Sequence, residues 1–287
     1  MRWLRRLLIP GNVISAGGEY FEIADSLYEA KNVKTLIIKS KKLAQAAKPG
    51  QYMVLMRPML DINPMSFSSI DKENGLVGIT FKVVGKSTQK YAKLKKGDKL
   101  LVQYAPRGNG FSLSGRKILC VGGGVGVAAL VPLIDEAYSK GIEIDCISGF
   151  KMHDEIIFQE KLSEKTNLCI TTEDGSFGRK GTVLSAFKNY KPDYDYVYCC
   201  GPEEMMYKVF QFTEKYGMNA QFSLERYIRC GVGLCGFCCV DGYRVCSDGP
   251  IFSSKQLRRM KEFGKYKMDL DGRKIPIEQP YSKFESS

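Results

Sequence analysis

Four cysteines, Cys230, Cys235, Cys238 and Cys246, lie in the run RCGVGLCGFCCVDGYRVC. The spacing C-x4-C-x2-C with a fourth cysteine downstream is the plant-type arrangement that holds a two-iron, two-sulfur cluster through four thiolates. Gly231, Gly233 and Gly236 fall between the first three cysteines, and Gly242 precedes the fourth. A loop that aims several sulfurs inward must bend sharply and expose backbone amides, and glycine permits both. Amides aimed at the sulfurs offset their charge and tune the reduction potential. A four-cysteine zinc site is a second reading, although it usually pairs two short C-x2-C knuckles set well apart. Here one knuckle is stretched and the second is missing. Disulfides are a third reading. Cys239 adjoins Cys238 and is read as a packed non-ligand.

Other turns have the residue types of nucleotide sites. Gly122, Gly123, Gly124 and Gly126 follow the apolar stretch KILCV and open an expected helix, VGVAALVPLIDEAYSK. In that setting backbone N–H groups and a helix N-terminus meet a pyrophosphate; tight helix–sheet packing is the plainer reading. Cys200, Gly201 and Pro202 stand where another strand hands over to a helix, and Glu173-Asp174-Gly175-Ser176 ends a third strand on the same edge. Ligands of open α/β sheets bind along that edge. Lys151 follows the second strand, where a ribose-binding acid is expected, so NAD and NADP both stay open. Upstream, Asn63, Pro64, Met65 and Ser66 start a strand. Gly85, Lys86, Ser87 and Thr88 precede a short helix, where they suit either a phosphate or a helix cap. The only histidine, His153, is read as a helix-start polar residue, and no catalytic acid or base is assigned.

The elements that must position these groups fall into three segments. Residues 1–113 read as a six-stranded antiparallel β-barrel, with strands over Tyr20–Leu27, Val33–Ile38, Tyr52–Met56, Pro64–Ile70, Leu76–Val84 and Lys99–Tyr104 and one helix over Thr88–Leu94. Residues 114–224 alternate strand and helix, with helices expected over Asp154–Leu162, Thr182–Asn189 and Glu203–Tyr216, and read as a parallel-sheet nucleotide-binding domain. Residues 225–287 hold the cysteine loop and an extension with nine Lys or Arg against five acids over 251–287. The fold class is therefore multidomain β plus α/β with a small cysteine-loop module.

The start, MRWLRRLLIPGN, is basic, and its apolar stretch is too broken for a signal peptide or a membrane span. Ten cysteines without an export signal point to a reducing cytoplasm. The formal charge of +12 raises the question of nucleic acid or anionic lipid. A two-iron cluster on four thiolates and a flavin dinucleotide would together lower it to about +8. The basic residues are also scattered rather than interleaved with aromatics, which favours a solvated surface, or docking to an acidic protein, over nucleic acid.

The order of parts, with GGGVG, then CGPEEM, then SLERYIRCGVGLCGFCC and VCSDGPIF, resembles the electron-transfer subunit of class 1B dihydroorotate dehydrogenase, in the ferredoxin reductase superfamily, over nearly all of residues 15 to 255. The resemblance implies FAD on the barrel, NAD in the sheet domain and a 2Fe-2S cluster on the four cysteines. Ser66 would lie at the flavin ring, Gly85, Ser87 and Thr88 near its phosphates, Glu225 close to the flavin, and Gly201 and Pro202 beside the nicotinamide. Asn63 stands where the family's flavin motif has arginine, unless Arg57-Pro58 serves from a shifted position. The implied partner is an FMN-containing catalytic subunit, in a heterotetramer of pyrimidine biosynthesis. Electrons from dihydroorotate would pass through the cluster to FAD and on to NAD. Alternatives are a small subunit like that of ferredoxin:NADP reductase or sulfide dehydrogenase, and a zinc-stabilised interaction module without redox function.

Overall fold

The computed structural model describes residues 8–9, 12–13, 18–56, 62–187 and 193–281. Arg57, Pro58 and most of the basic start lie outside them. Alternating apolar positions fold into six strands: β1 (Glu19–Ala30), β2 (Val33–Lys39), β3 (Tyr52–Met56), β4 (Ile62–Asp71), β5 (Leu76–Lys82) and β6 (Lys99–Arg107). They close an antiparallel barrel in the order β1-β2-β5-β4-β3-β6. Leu36 and Ile38, Met53 and Leu55, and Val77 and Ile79 fill its core, as the two-residue period of a strand requires.

Helix α1 (Lys41–Ala46), capped by the Ser40 hydroxyl, closes on the barrel core with Leu43 and Ala44; it was not expected. Helix α2 (Lys86–Ala92) starts two residues before the expected span.

The second segment forms parallel strands β7 (Lys117–Gly123), β8 (Glu143–Phe150), β9 (Asn167–Thr172), β10 (Arg179–Lys180), β11 (Tyr196–Cys200) and β12 (Ala220–Ser223). Their order, β10-β9-β8-β7-β11-β12, reverses direction beside β7. The continuous apolar runs of β7 and β11 suit strands covered on both faces.

The helix expected from Val125 is divided. Gly124–Leu130 is a 3-10 turn, and α3 begins only at Val131 (Val131–Ser139), with Pro132 in its first turn. Proline is tolerated there and not in a helix interior, so it sets the start of the α-helix. The helix expected over Asp154–Leu162 is likewise divided into a 3-10 turn (His153–Glu155) and α4 (Gln159–Ser163). The break carries the β-branched pair Ile156-Ile157, with Ile157 buried, and ends at Phe158 with φ +58°. Helices α5 (Val183–Phe187) and α6 (Glu203–Lys215) lie within the expected spans.

The cysteine loop carries a hairpin of β13 (Cys239–Val240) and β14 (Tyr243–Arg244). The chain then rejoins the sheet as β15 (Ile251–Ser253), antiparallel to β12. Helix α7 (Ser254–Leu257) follows, with a hairpin of β16 (Tyr266–Met268) and β17 (Lys274–Pro276). One apolar core unites Tyr52 and Val54 of the barrel, Leu119, Val121 and Phe222 of the sheet, and Ile228, Cys238, Val245, Cys246 and Phe252 of the cysteine region.

Arg226, at the root of the cysteine loop, forms a buried ion pair with Glu203, the first residue of α6. Its Nη2 donates to Glu203 Oε1 at 2.6 Å, and the Gly264 amide donates to the same oxygen at 2.8 Å. Removing one partner of such a pair strands a charge in the interior, which costs about 3–5 kcal/mol. Denaturant melts should therefore show Arg226→Met weakened by about that amount. The double variant Arg226→Met, Glu203→Leu should recover most of the loss.

Candidate redox site

The cysteine loop bends through Gly231, Gly233 and Gly236 at φ +66°, +75° and +76°. L residues with a Cβ rarely adopt such angles. The bends turn amides onto sulfur. The Leu234 and Cys235 amides donate to Cys230 Sγ at 3.3 and 3.4 Å, the Gly233 amide to Cys246 Sγ at 3.2 Å, and the Cys246 amide to Cys238 Sγ at 3.4 Å. The sulfurs meet as Cys230 with Cys235 and Cys238 with Cys246, and Cys246 also reaches Cys230. All ten cysteines are free thiols.

Burial is the largest single influence on Cys230 and raises its pKa, but the amides of Cys235, Val232 and Leu234 outweigh it and hold the thiol below its usual range. Cys238 is lowered mainly by its hydrogen bond with Cys246, and Cys246 is raised mainly by the same bond. Cys239 sits on β13 opposite Arg244, and burial raises its thiol. Among the described residues, no three His, Cys, Asp or Glu side chains converge on a point suited to one metal ion. Two sulfur pairs with inward amides instead fit a two-iron cluster, each pair taking one iron.

At the sheet's reversal point the two glycine turns pack backbone to backbone. A Cβ on Gly126 would lie 2.7 Å from Gly201 Cα, and one on Gly201 (φ +155°) 2.9 Å from the Gly123 nitrogen. Gly122, Gly123 and Gly124 thus meet Cys200, Gly201 and Pro202 at the carboxyl ends of β7 and β11, where α/β sheets bind nucleotides. The amides offered there belong to the 3-10 turn rather than to α3. The Glu173-Asp174 loop lies on the same edge, its amides donating to the carbonyls of Phe150 and Lys151 at 3.1 and 3.3 Å. Asp174 accepts from the amide and hydroxyl of Ser176, which holds its carboxyl below the usual range. His153 is exposed at the start of its 3-10 turn.

On the barrel, Asn63, Pro64, Met65 and Ser66 are half-buried on β4, which runs beside the Gly124–Leu130 turn. Asn63 Nδ2 donates to the Tyr91 hydroxyl of α2 at 3.4 Å, joining the two barrel stretches expected at the flavin. The Thr88 hydroxyl accepts from the Val84 and Gly85 amides, both at 3.0 Å, so it caps α2. Glu225 reaches solvent, yet protein crowds it enough for desolvation to raise its carboxyl. Cys200 feels the charge of Glu225 and is pushed up to about 12, mainly by burial, and Tyr281 feels the same charge. No spacing rule pointed to Tyr281, which arrives only when the C-terminal segment folds back, or to the Glu203–Arg226 pair, which forms only when the root of the cysteine loop docks on α6.

Residues 225–258 match the family described as the iron-sulfur cluster binding domain of dihydroorotate dehydrogenase B. A probable dihydroorotate dehydrogenase B (NAD(+)) electron transfer subunit of Methanothermobacter thermautotrophicus is 40% identical over 261 residues, covering 90% of this chain and 97% of that protein. The Streptococcus mutans protein named as the same subunit is 35% identical, covering 82% of this chain and 94% of its own length. Among solved structures, an NADH-dependent reduced ferredoxin-NADP oxidoreductase aligns with a TM-score of 0.76 and 29% identity over 87% of this chain and 95% of that one. A Neisseria gonorrhoeae ferredoxin NADP+ reductase shares the fold, with a TM-score of 0.59 and 18% identity over 71% of this chain and 93% of that one. Near-complete coverage at such identity, with the cysteine loop inside the matched span, means that the chain belongs to the family of dihydroorotate dehydrogenase B electron transfer subunits.

Proposed function

We propose that this chain carries electrons taken from dihydroorotate in an FMN-containing catalytic subunit, through a 2Fe-2S cluster and FAD, to NAD, within a cytoplasmic heterotetramer. The observation that carries the reading is the paired, amide-supported sulfur set of Cys230, Cys235, Cys238 and Cys246, set in the same core as the barrel and the sheet. Cluster and flavin together join one-electron to two-electron chemistry. The chain's own part is to hold and orient. Its amides lower the charge on the sulfurs. Ser66 and Glu225 face the flavin ring, while Gly85, Ser87 and the α2 start, with Asn63 tied to Tyr91, support its phosphate side. The meeting turns Gly122–Gly126 and Cys200–Pro202 admit the nicotinamide nucleotide close to the backbone. Family membership and the reductase fold support this division of labour. Among the described residues, no helix is long and apolar enough to cross a membrane.

The decisive test is reconstitution with a candidate catalytic subunit. Dihydroorotate should bleach the flavin of this chain and then reduce NAD. Flavin reduced only by ferredoxin, with dihydroorotate inert, overturns the reading. Cys235→Ala should abolish iron–sulfur absorption and labile sulfide while leaving flavin bound; a colourless wild type with one zinc per chain would contradict the proposal. Any side chain at position 126 must push the two turns apart, so Gly126→Val should weaken NADH binding more than tenfold in calorimetry and leave the visible spectrum unchanged.

A further inference from the structure

Two barrel side chains grip the cysteine loop from outside. Tyr52, on β3, is 2% exposed, and its hydroxyl donates to the Cys246 carbonyl at 2.9 Å. Arg107, at the end of β6, is directly opposite Tyr52 in the ladder, and its Nη2 donates to the Gly231 carbonyl at 3.0 Å. On its other side Tyr52 is paired in register with Ser66 of β4. Opposed residues of an antiparallel pair project from the same face, with Cβ atoms about 5 Å apart. Met53, the next residue, points into the barrel core. Tyr52 therefore stands on the outer barrel face between Ser66 and the sulfur set.

We propose that Tyr52, with its ladder neighbour Arg107, is the positioning unit that fixes the cysteine loop against the Ser66 face of the barrel and sets the reduction potential of the cluster. The inference rests on the reading above, in which the four cysteines hold the cluster and Ser66 faces the flavin. Its physical basis is peptide geometry. A trans peptide points its C=O and the following N–H in opposite directions. With the Gly231 carbonyl held toward Arg107, the turn that follows stays bent so that the Leu234 and Cys235 amides donate to Cys230 Sγ. With the Cys246 carbonyl held by the phenol at 2.9 Å, the residue bearing the fourth sulfur cannot turn away, and a donor dipole is fixed against a ligand residue in the core where Cys238 and Cys246 are buried. Hydrogen bonds and burial around the sulfurs are what set the potential of such a centre. A donor dipole favours the more negative, reduced form, so losing it lowers the potential. Tyr52 is neither oxidised nor deprotonated in this role.

The test is a redox titration of the cluster by electron paramagnetic resonance in the full chain. Tyr52→Phe keeps the ring and its packing and removes only the donor. It should retain the cluster while its reduction equilibrium shifts about tenfold toward the oxidised form, about 59 mV for one electron. Asn109→Ala breaks a different barrel-to-loop link, the Asn109 bonds to Asp248 and Ile251 beyond the last cysteine, and should leave the potential in place. An unchanged midpoint in Tyr52→Phe, or an equal shift in Asn109→Ala, overturns the inference. Should Tyr52→Phe not fold, Arg107→Met removes the single Nη2 donor to the Gly231 carbonyl and carries the same expectation. A wild type lacking cluster or flavin signals overturns the proposed function itself and this inference with it, and that result is visible before any variant is compared.

Discussion

The ion pair of Glu203 and Arg226 is cut off from water, so each charge is solvated only by its partner and by nearby backbone. Gly264 supplies an amide to Glu203, and the carbonyls of Glu225 and Tyr266 accept from Arg226. These contacts come from three places: the residue after the Gly201-Pro202 turn, the residue after Glu225, and the C-terminal segment. Desolvating two ions is repaid only when the geometry is good and further hydrogen bonds surround the pair, as they do here for all but the Arg226 Nε and the ion-paired Glu203 Oε2. The pair therefore tolerates one arrangement of these parts, and that arrangement brings the nucleotide-type turn and the root of the cysteine loop together. Burial also pulls the Arg226 guanidinium down to about 10, which registers how little water reaches it.

A second set of contacts ties the cysteine loop to the barrel. Besides Tyr52 and Arg107, the Asn109 side chain bonds both the amide and the carbonyl of Ile251, and its backbone amide donates to the Gly249 carbonyl at 2.8 Å. The loop is thus gripped at its start, its last cysteine and its exit. Since β15 then enters the sheet, the loop is a closed excursion between two fixed points rather than an appendage. A loop of that kind can hold sulfurs at fixed separations, which a free tail cannot, because each unfixed residue would cost about 1–2 kcal/mol of ordering on metal binding.

Much of this was legible in the sequence, because it depends on local chemistry. Strand alternation marked every barrel strand, apolar runs ending in glycine marked β7 and β11, and cysteine spacing marked the loop. Pro132 was an available sign that the α-helix after the glycines begins late, but the apolar pattern of VGVAAL concealed it. The contacts that assemble the site were not legible: Tyr52 meets Cys246 across 194 positions of sequence, and Glu203 meets Arg226 across 23. Neither pair has a spacing rule, since its geometry is decided by how barrel, sheet and loop dock. Thr88 shows the converse. Its sequence context suited a cap and a phosphate site equally, and the observed bonds use its hydroxyl for the cap.

The cysteines themselves show why position, not residue type, makes an electron carrier. Cys120, Cys146 and Cys199 lie fully buried on central strands, where desolvation raises every thiol and keeps it neutral. There the backbone amides are already spent on the ladders of the sheet. Cys230 is also partly buried, yet it is lowered, because residues 230–238 join no ladder and the amides of three residues turn to its sulfur instead. A regular strand cannot make that offer. The irregular, glycine-bent backbone is therefore part of the site's chemistry: by giving up strand pairing it frees the donors that stabilise thiolate, and the barrel side chains that hold its carbonyls outward keep those donors aimed inward.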